Sequence, residues 1–187
     1  MQLKLATKIL LITGIATASA YAAPIFQVNP GTVGGAPGAT VGWGFTLTNT
    51  TDYLLVTGSQ FSPTPLAFFG SYQDLVGAGP LVVLGPSPEP QSITEAFNLS
   101  LGTGLGAFRI APTAAGQLSG QLILHYALFS VDPNSPTFNP DTDLRVADAQ
   151  VSSAVSVNVF APEPASFLLV APGLFAAYRR KRLLGRR

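Results

Sequence analysis

The residues with the densest chemical potential lie in Asp132-Pro133-Asn134-Ser135-Pro136-Thr137-Phe138-Asn139-Pro140-Asp141-Thr142-Asp143. Asn139, Asp141 and Asp143 are each two positions apart, and with Asp132 they offer the hard oxygen ligands that a loop wraps round Ca²⁺. The segment is not an EF-hand: Leu144 stands where the turn glycine belongs, and Gln150 where the bidentate glutamate belongs. Asx residues beside prolines are also ordinary turn formers. A plain loop is therefore the leading reading, with a structural calcium site as its rival.

Other residue types that do chemistry are sparse. His125 is the only histidine, and neither a Gly-x-Ser-x-Gly elbow nor a cysteine accompanies it, so a nucleophile-base-acid arrangement has one base to depend on. Glycoside hydrolysis needs only two suitably spaced carboxylates. The glutamates between the two ends of the chain are Glu89 and Glu95, one in a proline-rich stretch and one just beyond it. Gly102-Thr103-Gly104-Leu105-Gly106 lacks the Lys-Ser/Thr pair of a phosphate loop. Trp43, between Gly42 and Gly44, suits either a core or an exposed platform for a sugar ring, and the core is the commoner place. These observations predict a protein without catalytic residues; a secreted hydrolase is the least favoured reading.

The elements that must carry these residues are strands. Short apolar or alternating runs rich in Val, Thr, Phe, Tyr and Leu, punctuated by Gly and Pro, fall at residues 25–29, 40–49, 53–59, 81–84, 92–99, 107–110, 120–131 and 151–160. A further run at 66–72 follows Pro63 and Pro65, which place it at a sheet edge. Residues 120–131 have apolar cover on both alternations, as in a central strand. Val151, Val155, Val157 and Val159 fall on one face and Ser152, Ser156 and Asn158 on the other, a half-buried period of two. Asn49-Thr50-Thr51-Asp52 reads as a hairpin or tight reversal. The only helical candidate is one turn at 73–76. The expected fold is all-β: an antiparallel β-sandwich, Ig-like in broad architecture, built from residues 23–161.

The two ends have a different character. Lys4 and Lys8, the apolar Ile9-Leu10-Leu11-Ile12 and the small-x-small Ala18-Ser19-Ala20 have the layout of a secretory signal peptide over residues 1–22. Signal peptidase is expected to cut after Ala20 or Ala22. At the other end, Pro162-Glu163-Pro164 precedes an apolar run and then Arg179, Arg180, Lys181, Arg182, Arg186 and Arg187. Clustered cations after an apolar segment halt a translocating chain with its tail in the cytoplasm. Residues 165–178 would reach about 21 Å as a helix, short of a hydrocarbon core of about 30 Å, so a lasting anchor is disfavoured.

Pro-Glu-Pro, a short apolar helix and an arginine-rich end, on a chain with a signal peptide, resemble the PEP-CTERM sorting signal of exopolysaccharide-producing bacteria. The resemblance covers residues 162–187. It implies processing by an exosortase near Pro162, Glu163 and Pro164, after transient membrane insertion through the C-terminal helix. Pro172-Gly173 interrupts an apolar run that in this family is usually Leu- and Gly-rich, an interruption that a membrane helix tolerates.

Setting both ends aside changes the charge. Eight of the ten Lys and Arg residues lie in the two ends, so residues 21–161 keep Arg109 and Arg145 against eight carboxylates, a formal charge of −6. A surface this acidic is not drawn to nucleic acid. With no cysteine, the domain must be held by its core alone. The expected role is structural or adhesive, at the cell surface or in an extracellular matrix, with exopolysaccharide as a possible partner. A carbohydrate- or calcium-binding surface module is the alternative.

Overall fold

The computed structural model describes residues 22–49, 52–64, 68–86 and 91–160. Among them are ten strands and one helical turn: β1 (Ile25–Asn29), β2 (Thr32–Gly35), β3 (Thr40–Thr48), β4 (Tyr53–Thr64), β5 (Gly70–Asp74), β6 (Val83–Leu84), β7 (Ser92–Glu95), β8 (Gly106–Ile110), β9 (Gly116–Phe129), α1 (Pro140–Asp143) and β10 (Leu144–Val159). The all-β expectation holds. One sheet runs β1-β3-β8-β5 with β7 also on β3, and the other runs β2-β10-β9-β4-β6. The pairings are antiparallel except that β2 runs parallel to β10, which corrects the wholly antiparallel reading.

The chain alternates between the sheets. Up to β6 each strand lies in the sheet opposite its predecessor, and only β7 to β8 and β9 to β10 stay within one. The connection from Asn49 to Asp52 therefore joins strands of different sheets, which corrects the hairpin reading. Its first residue is buried, and the Asn49 amide nitrogen donates to Asp52 O (2.6 Å) and Leu84 O (3.0 Å). Local composition signals a reversal but not its destination, because a strand pair and an arch need the same turn chemistry.

β7 and β8 are two halves of one line along β3. Residues 45–48 of β3 pair with β7 and residues 40–43 with β8, on the side away from β1. Residues 96–105 loop out between the halves, so the single strand predicted at 92–99 ends at Glu95. Thr32–Gly35 is a strand that its glycines concealed, and 73–76 is the end of β5 followed by a turn. The edge position predicted beyond Pro63 and Pro65 is found in β5, which pairs with β8 alone.

β9 is central, between β10 and β4. Its Leu118, Leu122, Leu124, Tyr126 and Leu128 face the core, while Ile123 and His125 on the other side are only half-buried. The apolar cover predicted for both faces is confined to the end of the strand, where Phe138 packs edge-on against Phe129 with centroids 5.0 Å apart. The valine face of β10 is buried at Val155, Val157 and Val159, and Val151 is half-buried.

A single apolar cluster draws on both sheets. At its middle Phe61 of β4 projects among three rings of the other sheet: Trp43 at 5.7 Å, Phe108 at 5.5 Å and Tyr72 at 6.3 Å between centroids. Gly120 on β9 leaves room for the Phe61 ring, and Gly106 leaves room for Tyr72, since a Cβ at either place would collide with those rings. Trp43 is fully buried, and its indole nitrogen has no hydrogen-bond partner among the described residues. It fills the core and offers no sugar platform. Replacing Phe61 by Ala is expected to cost about 3–5 kcal/mol in urea unfolding. Trp43→Phe is expected to cost less, because it also removes a buried unpaired donor.

Candidate functional site

Three constellations bring polar side chains together. The first is the loop between β9 and β10. Asp132 Oδ1 accepts from Asn134 N at 2.8 Å, and Asn139 caps α1 by accepting from Asp141 N at 3.0 Å. Pro140 takes the first helical position, where its missing donor costs nothing. The Asn139 N–H in turn donates to Asp143 Oδ2 at 2.8 Å. Of the four oxygen-bearing residues considered for calcium, three are thus engaged with backbone groups of the same loop. No group of three or more His, Cys, Asp or Glu residues is placed to hold a metal ion among the described residues. Asn139-Pro140-Asp141 is itself a helix-start signal. It was legible in the sequence, but it opens only one turn before β10 begins.

The second constellation surrounds His125. The ring Nδ1 lies 3.0 Å from Asp148 Oδ1 on the outward side of β9. Asp148 reaches it because β10 shifts register between Val146 and Ala149, where Asp148 takes a left-handed backbone (φ 48°). Such bulges re-aim side chains. No hydroxyl is hydrogen-bonded to His125 among the described residues, so the pair lacks the third member of a nucleophilic triad.

The third joins the two sheets. Ser59 Oγ of β4 donates to Asp74 Oδ1 at 2.6 Å and receives the Tyr72 hydroxyl at 2.7 Å, both on β5. Asp74 Oδ1 also accepts from Gly77 N at 3.1 Å. Burial pushes the Tyr72 hydroxyl well above its usual pKa; the bond with Ser59 pulls the other way, and the Asp74 charge adds to the rise. The sequence did not expose this network, because Ser59 and Tyr72 meet only through the alternation of strands between sheets.

Two shallow grooves lie on the outward faces. One, about 360 Å³, includes Asn29, Pro30, Thr94, Glu95 and Phe97, with Gly42 beneath the Phe97 ring. The other, about 300 Å³, is formed by Gln121, Ile123, Gln150, Val151 and Ser152. Neither groove pairs two carboxylates or places a base beside a nucleophile. Glu89, Ala18 and Ala20 lie outside the described residues, as do the sorting residues Pro162, Glu163, Pro164, Arg179, Arg180, Lys181 and Arg182. Ala22 is described, as an exposed residue ahead of β1. No helix among the described residues is long and apolar enough to cross a membrane. No family model matches the chain, and no curated protein matches it either.

Tyr72 sets an alkaline limit on stability. Its pKa is raised in the folded state, so the unfolded chain ionises first, at pH about 10. The stability that this shift contributes is therefore full below pH 10 and is lost as pH climbs above it. Tyr126, also raised by burial, acts in the same direction. Thermal unfolding from pH 8 to 12 is expected to show this fall, and Tyr72→Phe is expected to flatten it while lowering stability at pH 8.

Proposed function

We propose that this chain is an exported, exosortase-processed protein of the bacterial cell surface or extracellular matrix. In this reading the all-β domain is an Ig-like β-sandwich with a structural or adhesive role. The observation that carries the reading is the order of features along the chain. A signal-peptide layout precedes an acidic, cysteine-free domain, and Pro162-Glu163-Pro164, an apolar run and clustered arginines follow it.

The physical logic is one of delivery. The N-terminal segment directs export and is removed by signal peptidase near Ala20 or Ala22. The apolar run then enters the membrane and stops there, held by Arg179, Arg180, Lys181 and Arg182 on the cytoplasmic side. Exosortase cleavage near Pro162, Glu163 and Pro164 separates the domain from that tail. Eight of the ten cations leave with the two ends, so the domain that remains is acidic and soluble. Its long polar strand faces and shallow grooves suit contact over an extended surface, such as exopolysaccharide, better than turnover of an enclosed substrate. It works without catalytic residues and without a resident metal.

Replacing Pro162, Glu163 and Pro164 by alanine in the native host tests this. The variant is expected to accumulate as a larger, membrane-retained precursor, while the unmodified protein is found outside the cell or at its surface. An unchanged distribution and size would sink the processing claim.

A further inference from the structure

The longest strand, β10, has one side that is only partly paired among the described residues. β9 pairs with β10 along its whole length, but on the opposite side β2 meets only residues 156–159. Towards the other end, the register shift before Ala149 and the left-handed Asp148 break the line of the strand. Between these limits lies Ala149-Gln150-Val151-Ser152-Ser153-Ala154-Val155, a regular window that no described strand covers.

The direction of its backbone groups follows from its neighbour. Ser156 N–H donates to Gly31 O (3.0 Å) and Phe160 N–H to Gly35 O (2.9 Å), so even-numbered residues turn their backbone groups towards the β2 side. The alternation is unbroken back to Ala149, because the register with β9 has no shift beyond that point. Gln150, Ser152 and Ala154 therefore present three N–H and three C=O groups along the open edge. Exposed edges are ordinarily guarded by charge, proline or a bulge within the strand. This window has no charge, no proline and no glycine. Ala149 and Val151 are apolar, only partly buried, and packed against the core beside it.

We propose that this edge pairs antiparallel with the same edge of a second copy of the chain, about a two-fold axis through Ser152. The window selects its own copy because its two limits map onto each other. With Ser152 opposite Ser152, Gln150 faces Ala154, Val151 faces Ser153 and Ala149 faces Val155. Every edge-facing residue then meets an edge-facing residue, and six backbone hydrogen bonds close. At each end the next residue is Asp148 of one copy against Ser156 of the other. There β2 takes over the edge of one chain just where the bulge carries the other chain away. The edge-facing residues are Gln150, Ser152 and Ala154, and each Gln150 stands opposite a small Ala154, so no ring blocks the approach. The contact extends the five-stranded sheet into a ten-stranded one across the axis. Because a strand edge buries less than a standard interface, the association is weak and dependent on concentration. It rests on the described fold and not on the processing proposed above.

The absence of cysteine makes the test clean. Ser152→Cys is expected to form a disulfide-linked dimer on mild oxidation, since a hydrogen-bonded antiparallel pair sets Cα atoms about 5.5 Å apart, within disulfide range. Gln117→Cys, exposed on the interior strand β9, is expected to stay monomeric. Ser152→Lys sets two cations face to face. It is expected to remain monomeric at concentrations where the unmodified chain sediments at twice its monomer mass, with an unchanged thermal transition. A Ser152→Cys protein that folds yet stays monomeric, equal cross-linking of Gln117→Cys, or an unmodified chain that is monomeric at every concentration would each overturn the proposal.

Discussion

The fold depends on Phe61 crossing from one sheet into a socket of Trp43, Tyr72 and Phe108 on the other. Without disulfides, and with a single helical turn among the described residues, apolar burial between two sheets is the main term available to offset chain entropy. Aromatic rings concentrate that burial, and their tilted and edge-on contacts add specificity to it. The socket exists because glycines give way. Gly106 makes room for Tyr72 and Gly120 for Phe61, so two positions that weaken their own strands allow the sheets to lock. The polar end of the same lock is the Ser59, Tyr72 and Asp74 network, which ties β4 to β5 at the margin of the core.

This arrangement explains which features could be read from the sequence. Strand identity was legible where apolar periodicity is strong, as in β1, β3, β9 and the valine face of β10. What the sequence could not show was partnership. The turn at Asn49 looks the same whether its strands pair or part, and here they part because both β3 and β4 bury one face against the other sheet. Thr32–Gly35 carries little strand propensity, and β10 supplies its order by pairing with it. In the same way, the excursion at 96–105 interrupts a line that continues in space but not in sequence.

The constellations with chemical potential divide along the same line. The carboxylates and amides between β9 and β10 were visible as a cluster of oxygen ligands, but most of them terminate turns and cap α1. His125 gains its partner Asp148 from a bulge, a backbone irregularity that no residue pattern announced. The charge distribution, by contrast, needs no coordinates. Eight of ten cations sit in the two ends, and the acidic remainder is the part that folds into the two sheets. On the proposed reading an address at each end flanks the domain, and different physics governs the two. Hydrophobicity and cation placement govern the ends, whereas inter-sheet packing governs the domain.

On the proposed reading both ends are read and removed while the domain persists. The most direct measurement is the intact mass of the protein recovered from its native host. A single species is expected, lacking residues 1–20 or 1–22 and everything beyond about Pro164. A mature protein that still carries Arg179 to Arg187, or its N-terminal methionine, would contradict that reading.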